Sequence, residues 1–300
     1  MIKGFDRKGD YACLSVYPGF VYWLLEDFYI NLLAPSPSVP FRLVVAQVAE
    51  IISNYMDIRV AARNLFTAIA LAQYNDRLSR GITIYPSIKD IYDALRTRRY
   101  PLQSHLSRYK ETLTNRLEGI LSVFGDHICS TRALDWERFM QTDWTISLEG
   151  IPTDYQNLFI TIMIAKIVSY RMAQNVRSPH LRDLLVFDEA STVFKKWHEF
   201  QEGTYLIADY FAKCREFGIG FIIGTQGLSH LADSVLANTA TKILVGGFGL
   251  GSDYTIFGSS TGMTSEQIEF IKRRTLPGQA CAKDLRYPFP FTLETPHVAQ

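Results

Sequence analysis

Two short apolar runs that end in polar residues constrain the fold of this chain most. The run 184–187 is followed by two adjacent carboxylates, Asp188 and Glu189, and the run 221–224 leads to Gln226. Runs this short and this apolar are typical of strands that are buried on both faces of a parallel sheet. Because the carboxyl ends of parallel strands meet at one edge of a sheet, the polar residues predict a ligand site there.

Apolar strands and amphipathic helices alternate along the second half of the chain. This order predicts an α/β fold with a parallel sheet and helices on both faces, because right-handed crossovers return each strand in the same direction. The predicted strands span 2–5, 144–148, 184–187, 219–224, 242–245 and 279–283, with a proline-containing edge strand over 288–293. The predicted helices between them span 157–173, 205–216, 228–237 and 266–274.

The segment 41–126 has a different pattern. A cluster of prolines at 35–40 breaks regular structure before it. Apolar residues then recur at intervals of three and four, which is typical of amphipathic helices. The sequence therefore predicts an all-α insertion domain at 41–126 within an α/β domain that is formed by 1–40 and 127–300.

The composition limits the class of protein. With 47% hydrophobic and 20% charged residues among 300, the chain has the balance of a soluble globular protein. A formal net charge of +1 gives no broadly basic surface, so any contact with DNA has to be local. The four cysteines are widely spaced, which favours buried or incidental thiols in a reducing compartment over a metal site.

No segment of the sequence predicts secretion or membrane insertion. Residues 1–4 lack the pattern of a signal peptide. The most apolar run, 158–168, is too short to cross a bilayer and contains Lys166. We expect a cytoplasmic protein; if it works at the inner face of a membrane, its anchor lies outside this chain.

Polar residues follow three of the predicted strands, at Asp6, at Asp188 with Glu189, and at Gln226. Asp188 could hold Mg²⁺ through water, because this ion takes oxygen ligands and dehydrates reluctantly. Glu189 would then polarise a water molecule, and Gln226 would orient that water or sense a phosphate. The alternative for Asp188 is a helix N-cap without a chemical role.

Arg215 is the candidate for a charge that acts across a subunit interface. It lies at the end of a predicted helix, just before the strand that leads to Gln226. A guanidinium there could neutralise charge on a phosphoryl group that a neighbouring subunit holds. The alternative is a solvated arginine, which the helix dipole favours at a C-terminus.

Motifs of other catalytic sites are absent from the sequence. No phosphate loop of the form G-x-x-x-x-G-K-[ST] occurs, and the glycine-rich stretches 246–252 and 258–264 lack its lysine, which favours turns. His198 and Glu199 adjoin without forming H-E-x-x-H, and no G-x-S-x-G is present. A metalloenzyme and a hydrolase with a catalytic triad are therefore disfavoured.

Seven motifs in a fixed order carry a resemblance to a known family. They are FDRKGDY at 5–11, INLLAPSP at 30–37, WTISLEGIP at 144–152, LLVFDEA at 184–190, KCREFGIGFIIGTQ at 213–226, NTATKILVG at 238–246 and LPGQACAK at 276–283. Together they resemble the HerA/FtsK superfamily, and within it the TraG/TraD-type conjugative coupling proteins and type IV secretion ATPases. The ordered set covers nearly the whole chain and is far more specific than any one motif.

The resemblance implies a RecA-like ring ATPase, usually hexameric, that uses ATP and Mg²⁺ to move DNA through its pore. By motif position, Asp188 and Glu189 match the Walker B acids, with Mg²⁺ at Asp188 and the catalytic role at Glu189. Gln226 matches the sensor glutamine, and Arg215 matches the arginine that acts across the subunit interface.

Further roles and partners are implied by the same resemblance. Asp6 or Asp10 matches the acidic residues after the family's second strand, which implies a place at the cofactor. The helical block 41–126 is similar to the all-α insert of the coupling proteins, which is implicated in contacts with DNA or relaxosome partners. The implied partners are therefore DNA, further copies of this chain, and a relaxase or secretion-channel proteins.

The family's phosphate loop lies one helix upstream of the strand that matches 2–5. Without its backbone amides and lysine, phosphate binding loses its main donors, so we expect the 300-residue chain to hydrolyse no ATP by itself. We interpret the chain as the C-terminal major part of a DNA-translocating ATPase. Two alternatives stay open: a non-catalytic or truncated subunit that assembles with partners, and a HerA-type translocase for DNA-end processing.

Overall fold

The computed structural model describes most of the chain and divides it into two compact units. Unit 1 consists of 1–188 and 213–222, and unit 2 consists of 189–212 and 223–300. The described residues are 1–101, 104–132, 134–196, 210, 213–247, 249–275 and 277–295. Most of the predicted helix 205–216, together with His198 and Glu199, lies outside them.

A five-stranded parallel sheet is the centre of the fold, as the sequence predicts. Its strands are β1 (Ile2–Asp6), β2 (Phe20–Trp23), β3 (Asp143–Ser147), β4 (Asp183–Phe187) and β5 (Ile219–Ile223). They lie in the order β2-β3-β1-β4-β5. In this register Phe5 of β1 pairs with Ile146 of β3 on one side and with Phe187 of β4 on the other.

Strand β2 is the one strand of this sheet that the sequence analysis does not predict. It follows a turn at Pro18 and Gly19, and its four residues, FVYW, are aromatic or β-branched, which suits a pleated surface. Trp23 stacks on Phe139 with ring centroids 5.9 Å apart, so the strand contributes an aromatic side chain to the core. The run is too short and too rich in aromatics to show a clear period.

Helices fill the segment 41–126. They are α1 (Phe41–Tyr55), α2 (Val60–Ser79), α3 (Ile88–Thr97) and α4 (His105–Phe124), and α5 (Trp136–Gln141) and α6 (Thr153–Ala173) follow. Within 41–101 and 104–126 no strand is present, in agreement with the helical periodicity. A capping box between Ser87 and Asp90 begins α3. The treatment of 41–126 as a separate domain stays a prediction.

Helix α6 is buried over almost its whole length. The Arg171 guanidinium binds Asp183 of β4 at 2.5 Å, which ties one side of the helix to the sheet. On another side, the amide of Gln47 in α1 donates to the hydroxyl of Ser169 at 3.1 Å. Because α6 packs against other elements on both sides, apolar residues are distributed around the whole helix. Nowhere in the described part of the chain is a helix both long enough and apolar enough to cross a membrane.

A buried charge triad joins β1, β4 and α6 at the amino edge of the sheet. The ammonium of Lys3 lies 2.9 Å from Asp183 Oδ1 and also donates to the carbonyl of Met140, while Arg171 binds both oxygens of the same carboxylate. Burial opposes ionisation of Asp183, yet Arg171 and Lys3 together hold its pKa below the usual range. The carboxylate therefore accepts hydrogen bonds from both cations and offsets one of their two positive charges in the core.

Unit 2 contains a second sheet, and here the sequence prediction is wrong. Strands β6 (Lys242–Val245), β7 (Gln279–Lys283) and β8 (Phe291–Glu294) form an antiparallel sheet of their own in the order β6-β7-β8. The alternation of strands and helices in the sequence predicts β6 and β7 in the parallel sheet. The predicted edge strand over 288–293 corresponds to β8, which does lie at an edge.

The sequence does not predict helix α9 (Gly251–Thr261), and this missing helix explains why the direction of β7 relative to β6 is predicted wrongly. The helices of unit 2 among its described residues are α7 (Ala190–Val193), α8 (Asp233–Asn238), α9 (Gly251–Thr261) and α10 (Ser265–Arg274). One helix between two strands returns the chain in the same direction, whereas the pair α9 and α10 reverses it once more. Gly258 lies inside α9, where a Cβ would collide with Ile268, so the turn predicted for 258–264 begins only after the helix.

Lys166 gives a test of this core through its pH dependence. It is buried in α6, donates to the carbonyl of Ala34 and lies 6.0 Å from the ring centroid of Trp136; burial lowers its pKa to about 7. The unfolded chain, with a lysine pKa of 10.5, then holds more protons above pH 7, so stability rises with pH. We expect the free energy of unfolding to rise by about 1 kcal/mol per pH unit above neutrality.

The variant Lys166→Met should abolish this rise in denaturant unfolding measured across the same pH range, and should be more stable than the wild type at neutral pH. Lys89→Met is the matched control, because the Lys89 side chain is 57% exposed and should leave the slope unchanged. A wild-type slope that persists in Lys166→Met would contradict the assignment.

Candidate active site

Asp6 and Asp188 lie side by side at the carboxyl edge of the parallel sheet. The register pairs Phe5 with Phe187; Asp6 is the last residue of β1, and Asp188 is the first residue after β4. Neighbouring strands lie about 4.8 Å apart, so the two acids are adjacent. On the other side of Asp6, the paired residue is Ser147 of β3. This row is where a ligand of an open parallel sheet is expected.

The carboxylate of Asp6 is buried and surrounded by donors. Oδ1 accepts three hydrogen bonds and Oδ2 accepts two. The donors are the backbone amides of Lys8, Gly9, Asp10 and Tyr11, at 2.8–3.1 Å, and the hydroxyl of Tyr22, at 2.9 Å. Successive amides that converge on one point form an anion-binding nest, and here the protein's own carboxylate fills it. This geometry gives Asp6 a role in shaping the loop; its direct binding of a cofactor stays a prediction.

The loop after β1 packs closely against Glu149, the second residue after β3. Gly9 has φ +85°, a left-handed backbone that favours glycine, and a Cβ at this position would lie 2.6 Å from Glu149 Oε2, at the flexible end of that side chain. Asp10 is exposed on the same loop. A cavity of 470 Å³ is lined in part by Ser147, Glu149 and His127. None of these three was a predicted site residue.

Tyr11 is a further residue that the sequence analysis does not identify. Burial raises the pKa of its phenol, and the charges of Asp188, Asp6 and Asp10 raise it further. These three carboxylates are therefore all near one phenol within unit 1. A protonated tyrosine can donate a hydrogen bond among acids that repel each other. A lone tyrosine after a turn gives no sequence signal for such a role.

Glu189 has a left-handed backbone, with φ +52° and ψ 41°. Such a conformation is uncommon for a residue with a Cβ and costs of order 1 kcal/mol. Glu189 occupies the N-cap position of α7, so the alternative in which Asp188 caps the helix is wrong. The amide and the hydroxyl of Thr192 donate to the Glu189 carbonyl at 3.0 and 2.9 Å and hold the turn. Both acids are half-buried.

Gln226 lies in unit 2, exposed on the loop that follows β5. The amide of Ala190, the residue after Glu189, donates to the carbonyl of Gly224 at 2.9 Å. The chain at Glu189 and the chain before Gln226 are thus joined by a backbone hydrogen bond. The convergence of the two side chains on a ligand stays a prediction.

Arg215 is exposed in unit 1, in a 3₁₀ turn that ends at Gly218 with φ +73°. Asp6, Asp10 and Asp188 are in the same unit, whereas the other two predicted residues are in unit 2. Among the described residues no cluster of three His, Cys, Asp or Glu side chains is arranged to hold a metal directly. Mg²⁺ held through water at Asp188 stays a prediction, as does a role of Arg215 in a neighbouring subunit.

The RecA-like α/β fold that the sequence predicts is shared with several solved structures. VirB4 of Thermoanaerobacter pseudethanolicus is similar over 99% of this chain and 82% of its own, with a TM-score of 0.70 and 12% identity. The bacterial conjugative coupling protein TrwBdeltaN70 is similar over 98% and 78%, with a TM-score of 0.66 and 10% identity.

TrwB in complex with the non-hydrolysable ATP analogue ADPNP is similar over 98% of this chain and 84% of its own, with a TM-score of 0.60 and 10% identity. No family model and no curated protein matches the sequence. At 10–12% identity these structures establish a common fold and leave the roles of individual residues to separate argument.

The nest around Asp6 makes a prediction about stability. Asp6→Ala should lower the free energy of unfolding by about 3 kcal/mol, because four amides and a phenol lose a charged acceptor. Asp6→Asn keeps one oxygen and should lower the free energy of unfolding by less. Tyr22→Phe should lower it by about 1 kcal/mol. Denaturant unfolding measures all three. Equal stability of the wild type and Asp6→Ala would show that the nest contributes nothing.

The backbone of Glu189 makes a second prediction. Glu189→Gly should be more stable than Glu189→Ala by about 1 kcal/mol, because glycine alone adopts the left-handed conformation without strain. Both variants lack the carboxylate, so the comparison isolates the backbone. Thermal unfolding of the pair is the measurement, and an alanine variant as stable as the glycine variant would contradict the strain.

Proposed function

We propose that this chain forms the acidic and sensor part of an ATP-driven DNA-translocating motor of the conjugative coupling or type IV secretion kind. The motor works as a ring of several copies, with a hexamer as the expected form. DNA is the substrate that moves, and ATP with Mg²⁺ supplies the energy. A relaxase or secretion-channel proteins are the further partners that this function implies.

One observation carries the proposal: Asp188 stands beside Asp6 at the carboxyl edge of a parallel sheet with this fold. Carboxylates at this edge provide the oxygen ligands that Mg²⁺ prefers, and water can complete its shell. Backbone strain at Glu189, the next residue, is typical of a position that function maintains against stability.

Each predicted residue has a defined role in this proposal. Asp188 holds Mg²⁺ through water, and Glu189 orients the water that attacks the γ-phosphate. Gln226 senses the phosphate from the loop after β5. Arg215, on the surface of one copy, neutralises developing charge in the site of the next copy. Asp10 is exposed beside this edge, where it can contact the hydrated cation.

The donor set fits the metal better than it fits the phosphates. Oxygen ligands are present at the sheet edge, but the amides of the loop after β1 are already bound to Asp6. The engagement of these amides favours a second candidate, a non-catalytic subunit of the same ring that uses its sheet edge to assemble with partners.

A graft separates the two candidates. A strand, a G-x-x-x-x-G-K-[ST] loop and a helix are fused ahead of Ile2, and binding of MgATP and release of phosphate are measured. A motor subunit should gain both binding and hydrolysis, whereas the 300-residue chain alone should hydrolyse no ATP. A non-catalytic subunit should bind MgATP after grafting and still release no phosphate.

Variants of the grafted chain test the roles. Glu189→Gln should lower kcat by about 100-fold or more while MgATP binding is retained, because it removes the group that polarises the water. A graft whose loop lysine is alanine is the control for binding through the added segment. Robust hydrolysis by the ungrafted chain that Glu189→Gln leaves untouched would refute the assigned roles.

A further inference from the structure

The loop that carries Gln226 is held at both ends within unit 2. At its start, the Gly224 carbonyl accepts from the amide of Ala190 at 2.9 Å. At its end, the amides of Leu228 and Ser229 donate to Oδ1 of Asp253 at 3.1 and 2.8 Å. The exposed glutamine side chain therefore lies between two anchors, and the second anchor is a single carboxylate.

Asp253 is only 2% exposed, although it is charged and lies in the first turn of α9. Its carboxylate does not cap its own helix, because the N-cap residue of α9 is Leu250 and no side chain caps there. Its other oxygen, Oδ2, faces Gly227, where a Cβ would lie 3.4 Å away. A buried carboxylate is retained only when its hydrogen bonds compensate its lost hydration, and here these bonds go to the Gln226 loop.

Helix α9 connects this anchor to the second sheet. Tyr254, the residue after Asp253, and Phe257 pack in one apolar cluster with Leu244 of β6 and Cys281 of β7. A rigid helix that is packed in this way moves as one body with its sheet. The loop is thus attached to the antiparallel sheet through Asp253.

We propose that Asp253 is a positioning residue that fixes Gln226 by clamping the end of its loop to α9. Any displacement of Gln226 is then transmitted through Asp253 to α9 and the antiparallel sheet. What Gln226 senses rests on the function proposed above, whereas the clamp itself does not. Two backbone amides bound to one buried carboxylate define the clamp.

A nitroxide spin label at Gln226→Cys reports directly on this position. Exposed Cys13 and partly exposed Cys129 are first changed to serine, and the buried thiols of Cys214 and Cys281 remain. Asp253→Ala should shift the label to fast motion, because both amides lose their acceptor. Asp253→Asn should keep the label slow, since its one oxygen can still accept from both amides. An unchanged spectrum in Asp253→Ala would overturn the proposal.

A core variant distinguishes loss of the clamp from a general loss of stability. Ile271→Ala removes a buried side chain from the cluster against which Leu228 packs, but leaves both amides with their acceptor, so the label should stay slower than in Asp253→Ala. Equal mobility in Ile271→Ala and Asp253→Ala would overturn the clamp. Asp253→Leu, which keeps the volume and removes the acceptor, serves as the second variant and should also free the label.

Hydrogen exchange of the backbone amides tests the clamp in the wild-type chain, so this test does not depend on the folding of a variant. The amides of Leu228 and Ser229 should exchange about tenfold more slowly, or slower still, than unbonded loop amides. Fast exchange at both would overturn the clamp. Failure of the grafted chain to bind MgATP would refute the proposed function and leave these readouts unaffected, so the two failures are distinguishable.

Discussion

The arrangement of the sheet depends on the ion pairs that the buried carboxylate of Asp183 forms. It binds Lys3 and Arg171 at the amino edge and thereby connects β1, β4 and α6. A slip of β1 by one residue would separate this triad and turn every side chain of the strand to the opposite face. The same register brings Asp6 beside Asp188 at the opposite edge. The ion pairs at one end of the sheet and the two acids at the other end therefore depend on the same register of β1.

The sequence predicts the parallel sheet well where strands are apolar on both faces. The runs before Asp188 and Gln226 show this pattern, and both are strands. Helix α9 escapes prediction because its sequence, GSDYTIFGSST, is rich in glycine and in short polar residues that favour turns. Its helical state depends on packing by Tyr254 and Phe257, which local propensity cannot show. Missing one helix was enough to give the following strand the wrong direction.

The positions of the acids at the strand ends can be predicted from the sequence, because each acid directly follows its strand. The residues around these acids cannot be predicted in this way, since they come from distant segments of the chain. Tyr11 comes near Asp188 only through the pairing of β1 with β4, and Asp253 meets Ser229 across 24 positions. The engagement of Asp6 by the amides of its own loop is likewise absent from the sequence pattern, and its place at the cofactor stays a prediction. Sequence patterns thus locate the edge of the sheet, and the fold determines the environment of each acid.

The nest around Asp6 has an electrostatic consequence for whatever reaches this edge. Its amides point inward, so they offer no donors to an incoming anion, and Asp10 and Asp188 add negative charge nearby. A bare triphosphate would be repelled by these acids, whereas the same molecule paired with a divalent cation presents its positive part first. In the proposed function, a loop that satisfies its own hydrogen bonds would therefore favour the ion-paired form over the free anion.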